Sequence, residues 1–406
     1  MPRDIVTDLV GIEGYEVVDA EYHEYLDPAT AIIKLKKEDD SGPWICSQCG
    51  QLVDTAYDQK RYQILDLPYG KWKRVYLDVP KVRVDCPDCG IHQEALEFVQ
   101  WRRGYTRRLK REVALACRKL RCLVEIAGTY NLSPYQVKSI DLEYLVNELP
   151  QPDYSQVRLI GVDEFSLKKG HEYATRVVDL QTRQTLWIGK ERKSATLEAF
   201  YKEFEEKGGD LSQIKAVCID DWSPYRSATE KWVSHARIVQ DPFHLISRMN
   251  DVIDAVRNRC RRESAGEKKK LLKRTKRLCL KAPEDLDEKG QDRLDRIFTA
   301  HPRLGKVHRL REDLRRLWEQ SNEKEGQKWL ESWLHQAINS GIEELADYAR
   351  KLAKKKDEIA AGCAYGVNTS IVEGLNNTTK ALKRVAFGFH DTEYFFLKIR
   401  ALSLGG

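Results

Sequence analysis

The residues of this chain best suited to chemistry are cysteines paired in two tight turns and acids that follow apolar runs. Cys46 and Cys49 form one CxxC unit, followed by Gly50; Cys86 and Cys89 form another, followed by Gly90. In each unit the glycine permits a turn tight enough for both thiolates to face one ion. Two such knuckles complete a tetrahedral set of the kind zinc prefers. Four thiolates leave no position for water, so the ion would be structural. A disulfide or a redox pair is the competing reading of the same spacing. The other cysteines (Cys117, Cys122, Cys218, Cys260, Cys279 and Cys363) lack it and read as small buried hydrophobes.

Asp163 follows the apolar run Val157–Val162, and Asp220 follows Ile214–Ile219. Acids at the C-terminal ends of strands lie where open α/β sheets bind ligands. On neighbouring strands their side chains would be about 5 Å apart. Two carboxylates that close repel unless they share a divalent cation. A third acid, Glu373, lies far downstream in a segment with helical spacing, and Asn376, Lys380 and Arg384 fall on the same face. An acid, an amide and two cations along one face suit metal and phosphate ligands together. Ser370 and Glu373 also have the spacing of a capping box, which needs no function.

The elements that must hold these residues fall into blocks. The 406 residues suffice for two or three domains, and the net charge of +6 is unevenly spread. Residues 1–40 carry 4 basic and 11 acidic side chains, residues 60–121 carry 16 and 7, and residues 257–281 carry 12 and 2. Two basic stretches suit contact with a polyanion, although solvated helix faces explain either one alone. Lacking any apolar run of about 18–20 residues, the chain is not expected to span a membrane. The opening residues lack a signal pattern, which argues against secretion. The segment between the CxxC units reads as hairpins with turns at Pro68–Gly70 and Pro80, giving a zinc ribbon over 1–100 with an acidic N-terminal segment. Residues 101–150 read as a helix followed by a helix-turn-helix, with Ser133 as N-cap, Pro134 at the first helical position, and Gln136, Lys138 and Ser139 exposed for DNA. An ordinary helical hairpin is the alternative.

Beyond a linker at 149–153, the order is β-β-β-α-β-α-β-α, an α/β fold with a mixed five-stranded sheet. The strands fall near 157–162, 173–180, 184–188, 214–219 and 236–239. The expected divisions are 151–260 for the first part of a core, 261–365 for a helical insertion, and 366–406 for a last helix that returns the third acid.

The stretches 162–171 with Tyr173 to Thr175, 220–225, Asp241 to His244 and 368–389, preceded by paired CxxC units, resemble the bacterial insertion-sequence transposases of the ISL3 family. These are DDE transposases with an N-terminal zinc finger, and the resemblance spans nearly the whole chain. It implies an RNase H-like core whose triad is Asp163, Asp220 and Glu373. The family places its second acid two residues before a tryptophan, which selects Asp220 over the adjacent Asp221. The implied reaction is phosphoryl transfer by two Mg2+ ions, with Mn2+ able to substitute, beside structural Zn2+ at Cys46, Cys49, Cys86 and Cys89. Gln136, Lys138, Lys380 and Arg384 are the expected DNA contacts, and His171, His244 and Asn376 the orienting residues. His244 also follows an Asp-Pro helix start and could simply pack there. Double-stranded DNA, as terminal inverted repeats and target, is the expected partner of a homodimer or larger assembly in the bacterial cytoplasm, associated with the nucleoid. The rival readings are a non-transposing RNase H-like nuclease and a DNA-binding regulator derived from a transposase.

Overall fold

The computed structural model describes residues 5–100, 103–168, 172–366, 370–386 and 389–404, and the side chains at 5 and 370–373 are outside that description. Two expectations therefore lie beyond it: His171 entirely, and the side chain of Glu373. The protein is a mixed α/β chain that divides into two compact units, Met1–Pro150 with Ala381–Ala401, and Gln151–Lys380 with Leu402–Gly406.

In the first unit a seven-stranded sheet runs in the order Tyr15–His23, Thr30–Lys37, Arg74–Cys86, Ala56–Asp66, with Tyr105–Thr106 and Val99–Gln100 at the far edge and Gly90–Gln93 on Arg74–Cys86. The acidic N-terminal segment is thus part of the sheet. Its acids meet lysines across the ladder: Lys34 lies 3.2 Å from Asp19 and 2.8 Å from Glu21, and Lys36 3.4 Å from Glu16. Opposite charges on facing strands favour that pairing. Three helices follow, Arg107–Cys117, Leu123–Tyr130 and Pro134–Asn147. Asn131 ends the second in the left-handed region at φ 54°, and Ser133 caps the third through a complete capping box with Gln136. Leu109, Val113, Ile126, Val137 and Ile140 form their shared core.

Exposure in this region differs from the expectation. Gln136, Lys138 and Ser139 are half-buried. Gln136 is folded back onto the cap, accepting from Ser133 N at 2.9 Å. Lys138 is covered by Thr392–Ser403, paired with Asp391 at 2.8 Å and 5.3 Å from the Tyr394 ring. Tyr135, 77% exposed, is instead the side chain presented at the start of this helix.

The second unit holds a five-stranded sheet: β1 Leu159–Lys168, β2 Glu172–Asp179, β3 Thr185–Lys190, β4 Ala216–Ile219 and β5 Arg237–Gln240. The spatial order is β3-β2-β1-β4-β5, with β1, β2 and β3 antiparallel in turn and β4 and β5 parallel to β1. Helix Ser194–Glu206 buries Leu197, Phe200, Tyr201 and Phe204, the i, i+3, i+4, i+7 set of one face. Removing each of these from water stabilises the fold by about 2 kcal/mol. Helix Pro242–Glu263 starts on the Asp241 cap and leads into a helical region whose own core includes Ile253, Leu272, Cys279, Leu310, Leu330 and Trp333.

Within that region His308 is 4% exposed, and its Nε2 accepts from the Arg311 guanidinium at 3.1 Å. Because Arg311 can only donate, Nε2 carries no proton. Burial, helped by the Arg311 charge, pulls the imidazole down to about 4. The unfolded chain takes up this proton first as pH falls, so His308 favours folding above about pH 6.5. That contribution, about 3 kcal/mol, is lost as pH falls towards 4. The melting temperature of the intact protein should drop more steeply from pH 7 to 4.5 than that of His308→Gln, which keeps an acceptor but no titration. Parallel curves for the two proteins would contradict this.

Candidate active site

Strand register brings the candidate acids to one level. Gly161 on β1 pairs with Cys218 on β4, and Cys218 pairs with Val239 on β5. Two residues further along each chain come Asp163, Asp220 and Asp241. Asp163 itself is not at a strand end, as the sequence suggested. It lies inside β1, opposite Arg176 of β2, because the β1–β2 hairpin continues after β4 has stopped. Asp220 and Asp241 do follow the last residues of their strands.

Each acid has defined partners. Asp163, 8% exposed, accepts from Glu164 N at 2.8 Å and from the Asn376 amide, and its Oδ1 lies 3.6 Å from His244 Nε2. Asp220 accepts from Trp222 N at 3.0 Å. Asp241 accepts from Phe243 N at 2.8 Å, and its Oδ2 lies 3.9 Å from His244. His244 therefore faces two of the three carboxylates. The Asp163 carboxylate beside it, opposed by burial and aided by the charges of Asp241 and Asp220, carries the imidazole up to about 9. Burial pushes Asp241 up to about 6, with His244 pulling down and Asp163 and Asp220 pushing further up. Asp220 is raised as well, chiefly by burial. The group is short of positive charge. Among the described residues no three of these acids and imidazoles close to within 4.8 Å of one another.

Asp221 has different company. It is exposed, 3.2 Å from Arg248 and paired with Lys355, so its charge is answered away from the other acids. Glu164, on the opposite face from Asp163, pairs with Arg192 at 3.1 Å. Arg192 is itself held between the rings of Tyr173 and Trp222.

Helix Ser370–Val385 carries Glu373 in its backbone and is fastened to the sheet one turn later. Asn376 donates to Asp163, while Arg176 donates to Thr379 and lies 3.5 Å from Asn376 Oδ1. Arg176 has no exposed surface, and its Nε lacks a partner among the described residues. Burial lowers its guanidinium to about 10, with Asp163 opposing. Sequence reasoning missed Arg176. The signal was a lone cation in the middle of an otherwise apolar strand. Lys380 and Arg384 are exposed further along the helix.

The four cysteines of the first unit also meet. The ligand sulfurs of Cys46, Cys49, Cys86 and Cys89 lie within 4.8 Å of one another, with Cys49 and Cys86 3.7 Å apart. Tetrahedral zinc with bonds of about 2.3 Å sets its sulfurs about 3.8 Å apart, against about 2.05 Å in a disulfide. Gly50 and Gly90 take φ of 79° and 75°, as the knuckle turns require. The thiols crowd one another: hydrogen bonding with Cys49, then burial, pushes Cys89 up to about 12. Cys46 falls to about 7 although burial opposes it, because the amides of Cys49 and Gln48 point at its sulfur. The cluster could hold a structural metal such as zinc.

A family model described as a transposase, of the ISL3 DDE group, matches residues 160–399, from β1 to helix Thr392–Ser403. The chain belongs to the ISL3 family of insertion-sequence transposases. The similarity extends beyond the matched core. This transposase is 36% identical to the transposase for insertion sequence element IS1001 of Bordetella parapertussis, over 99% of this chain and 98% of that one. It is 24% identical to the transposase for IS1557 of Mycobacterium tuberculosis, over 89% and 86%. Among the described residues no helix of the transposase is long and apolar enough to cross a membrane.

Proposed function

We propose that this transposase cuts and joins DNA through a DDE triad of Asp163, Asp220 and Glu373 on an RNase H-like core. The observation that carries the reading is the shared level of Asp163 and Asp220, with the helix bearing Glu373 tied to Asp163 through Asn376. The strand order, three antiparallel strands followed by two parallel ones, supports the RNase H-like assignment. The ion pairs of Asp221 with Arg248 and Lys355 favour Asp220 as the second acid.

The donor set fits divalent cations. Hard carboxylate oxygens crowd at one level, and burial raises the proton affinities of Asp220 and Asp241. Asp163, Asp220 and Glu373 would hold Mg2+, with Mn2+ as substitute. Bound there, the ions supply activation of water or a DNA 3′-OH and stabilisation of the leaving oxygen. Asn376 fixes the rotamer of Asp163. The His244 imidazolium screens Asp163 from Asp241. Lys380 and Arg384 meet DNA phosphates on the same helix. Hydrolysis frees the 3′ ends of the element, and strand transfer joins them to target DNA. His171 keeps an orienting role in this proposal.

The zinc-bound cysteines stiffen the hairpins of the first unit. That unit and its helix-turn-helix, which presents Tyr135 at the start of its last helix, recognise terminal inverted repeats. Two ends must be joined, so a homodimer or larger assembly forms on DNA, in the cytoplasm and associated with the nucleoid. Incubating the protein with DNA from its element's ends, with Mg2+ or Mn2+, and mapping nicks at nucleotide resolution tests the reading. Cuts at the element boundary that require the cation are expected. Binding without any cation-dependent cut would favour a DNA-binding regulator, and cutting without joining of pre-cut ends would favour a plain nuclease.

A further inference from the structure

We propose that the end of helix Pro242–Glu263 together with the short helices Gly266–Leu271 and Lys276–Leu280 forms a second DNA surface, which grips the phosphate backbone of duplex DNA without regard to sequence. Arg261, Arg262, Lys268, Lys269, Lys273 and Arg277 are all exposed there. None of the six has a carboxylate within ion-pairing distance among the described residues. Neighbouring cations do find acids: Lys270 lies 2.7 Å from Glu267, Lys276 2.9 Å from Asp254 and Arg259 2.9 Å from Glu263. The local supply of acid is used up, and the excess charge faces outward.

The frame beneath this charge is fixed. Leu272 and Cys279 are fully buried in the helical core. Arg311, 2% exposed, donates to the carbonyls of Leu280 at 2.9 Å and Lys281 at 3.0 Å, closing the end of the last helix. Thr275 Oγ1 bonds Leu272 O at 2.8 Å, and the His301 ring meets Lys268 O at 3.0 Å. Arg274 is held at φ 55°. Long cationic side chains on an anchored backbone suit a ligand whose charges recur at fixed spacing.

The composition selects among polyanions and protein partners. Between Phe243 and Ile338 no large hydrophobic side chain is exposed among the described residues. A protein interface needs an apolar centre and is depleted in lysine, and a membrane-surface helix needs an apolar wedge. Contacts from lysine and arginine tips to phosphate oxygens carry affinity without sequence information, which suits a surface that grips any duplex. The inference rests on the reading of the protein as one that acts on DNA, but it uses none of the residues of the cutting site.

The test uses the full chain and a duplex of random sequence that lacks any element end. Binding is followed by fluorescence anisotropy between about 50 and 200 mM salt, where each phosphate contact contributes about 0.9 to the slope of log affinity against log salt. The variant Lys268→Gln, Lys269→Gln, Lys273→Gln, Arg277→Gln should lower that slope by about 3 to 4 and weaken binding more than about tenfold. All four side chains are exposed, so its melting temperature should match the wild type. An unchanged slope, or a wild type that does not bind this duplex, overturns the proposal. So does a variant whose only change is its sedimentation as a free protein, which would make the surface a contact between copies. A shifted slope with no divalent-dependent cutting by the wild type would strike the catalytic reading and leave this surface standing.

Discussion

Asp163→Asn should reduce divalent-dependent cleavage of element ends by about a thousand-fold or more while leaving DNA binding within a few-fold of wild type. The expectation follows from charge. Asparagine keeps the shape of the side chain and an oxygen that can accept from Asn376, but it removes a hard anionic ligand from the level shared with Asp220 and Asp241. Losing several kcal/mol of stabilisation at the reacting phosphate corresponds to three or more powers of ten in rate. Asp220→Asn should behave alike, whereas Asp221→Asn, whose charge is spent on Arg248 and Lys355, should cost far less. Stability should move the other way. Burial disfavours the Asp220 charge, so Asp220→Asn is expected to hold or raise the melting temperature. Single-turnover cleavage, anisotropy and thermal melts on the same preparations check all three points. An Asp163→Asn protein that cuts within about tenfold of wild type would remove the acids from the chemistry.

The second large effect concerns the thiolates. Freshly purified protein should contain about one zinc per chain, and the Cys46→Ser, Cys49→Ser double variant should lose it together with specific DNA binding. The strands Trp44–Ile45 and Leu52–Val53 are two residues each, and the core beside them is small: Cys46, Val53, Val82, Val84 and Cys86. So little apolar surface cannot order a hairpin by itself. A four-thiolate zinc site contributes on the order of 10 kcal/mol of apparent binding energy, and that energy is folding energy. Metal analysis and proteolysis of the N-terminal unit give the readout. Zinc-free protein with intact thiols, normal protease resistance and full DNA binding would overturn the assignment.

The elements that the sequence disclosed are those with local grammar. The CxxC–Gly turns, the Ser133–Pro134 helix start and the periodic burial of helix Ser194–Glu206 each depend on residues a few positions apart. The five strands of the second sheet were legible as apolar runs, although Asp163 moved from the end of β1 to its interior once β2 extended the hairpin. Features set by distant residues were not legible. Nothing near Arg176 announces Asn376 and Thr379, two hundred residues away. Nothing near Lys138 announces Asp391. The N-terminal strands were hidden because their alternating charges resemble a solvated acidic tail until the lysines opposite are known.

Both units are finished by the same stretch of chain. In the second, the buried Arg176 and the acid at Asp163 wait for Asn376 and Thr379. In the first, Asp141, 1% exposed among the three helices, is answered by Tyr394 and by Lys398 at 2.9 Å. Until that stretch docks, the buried Arg176 and Asp141 each lack these partners, so the packing of both units waits on one segment.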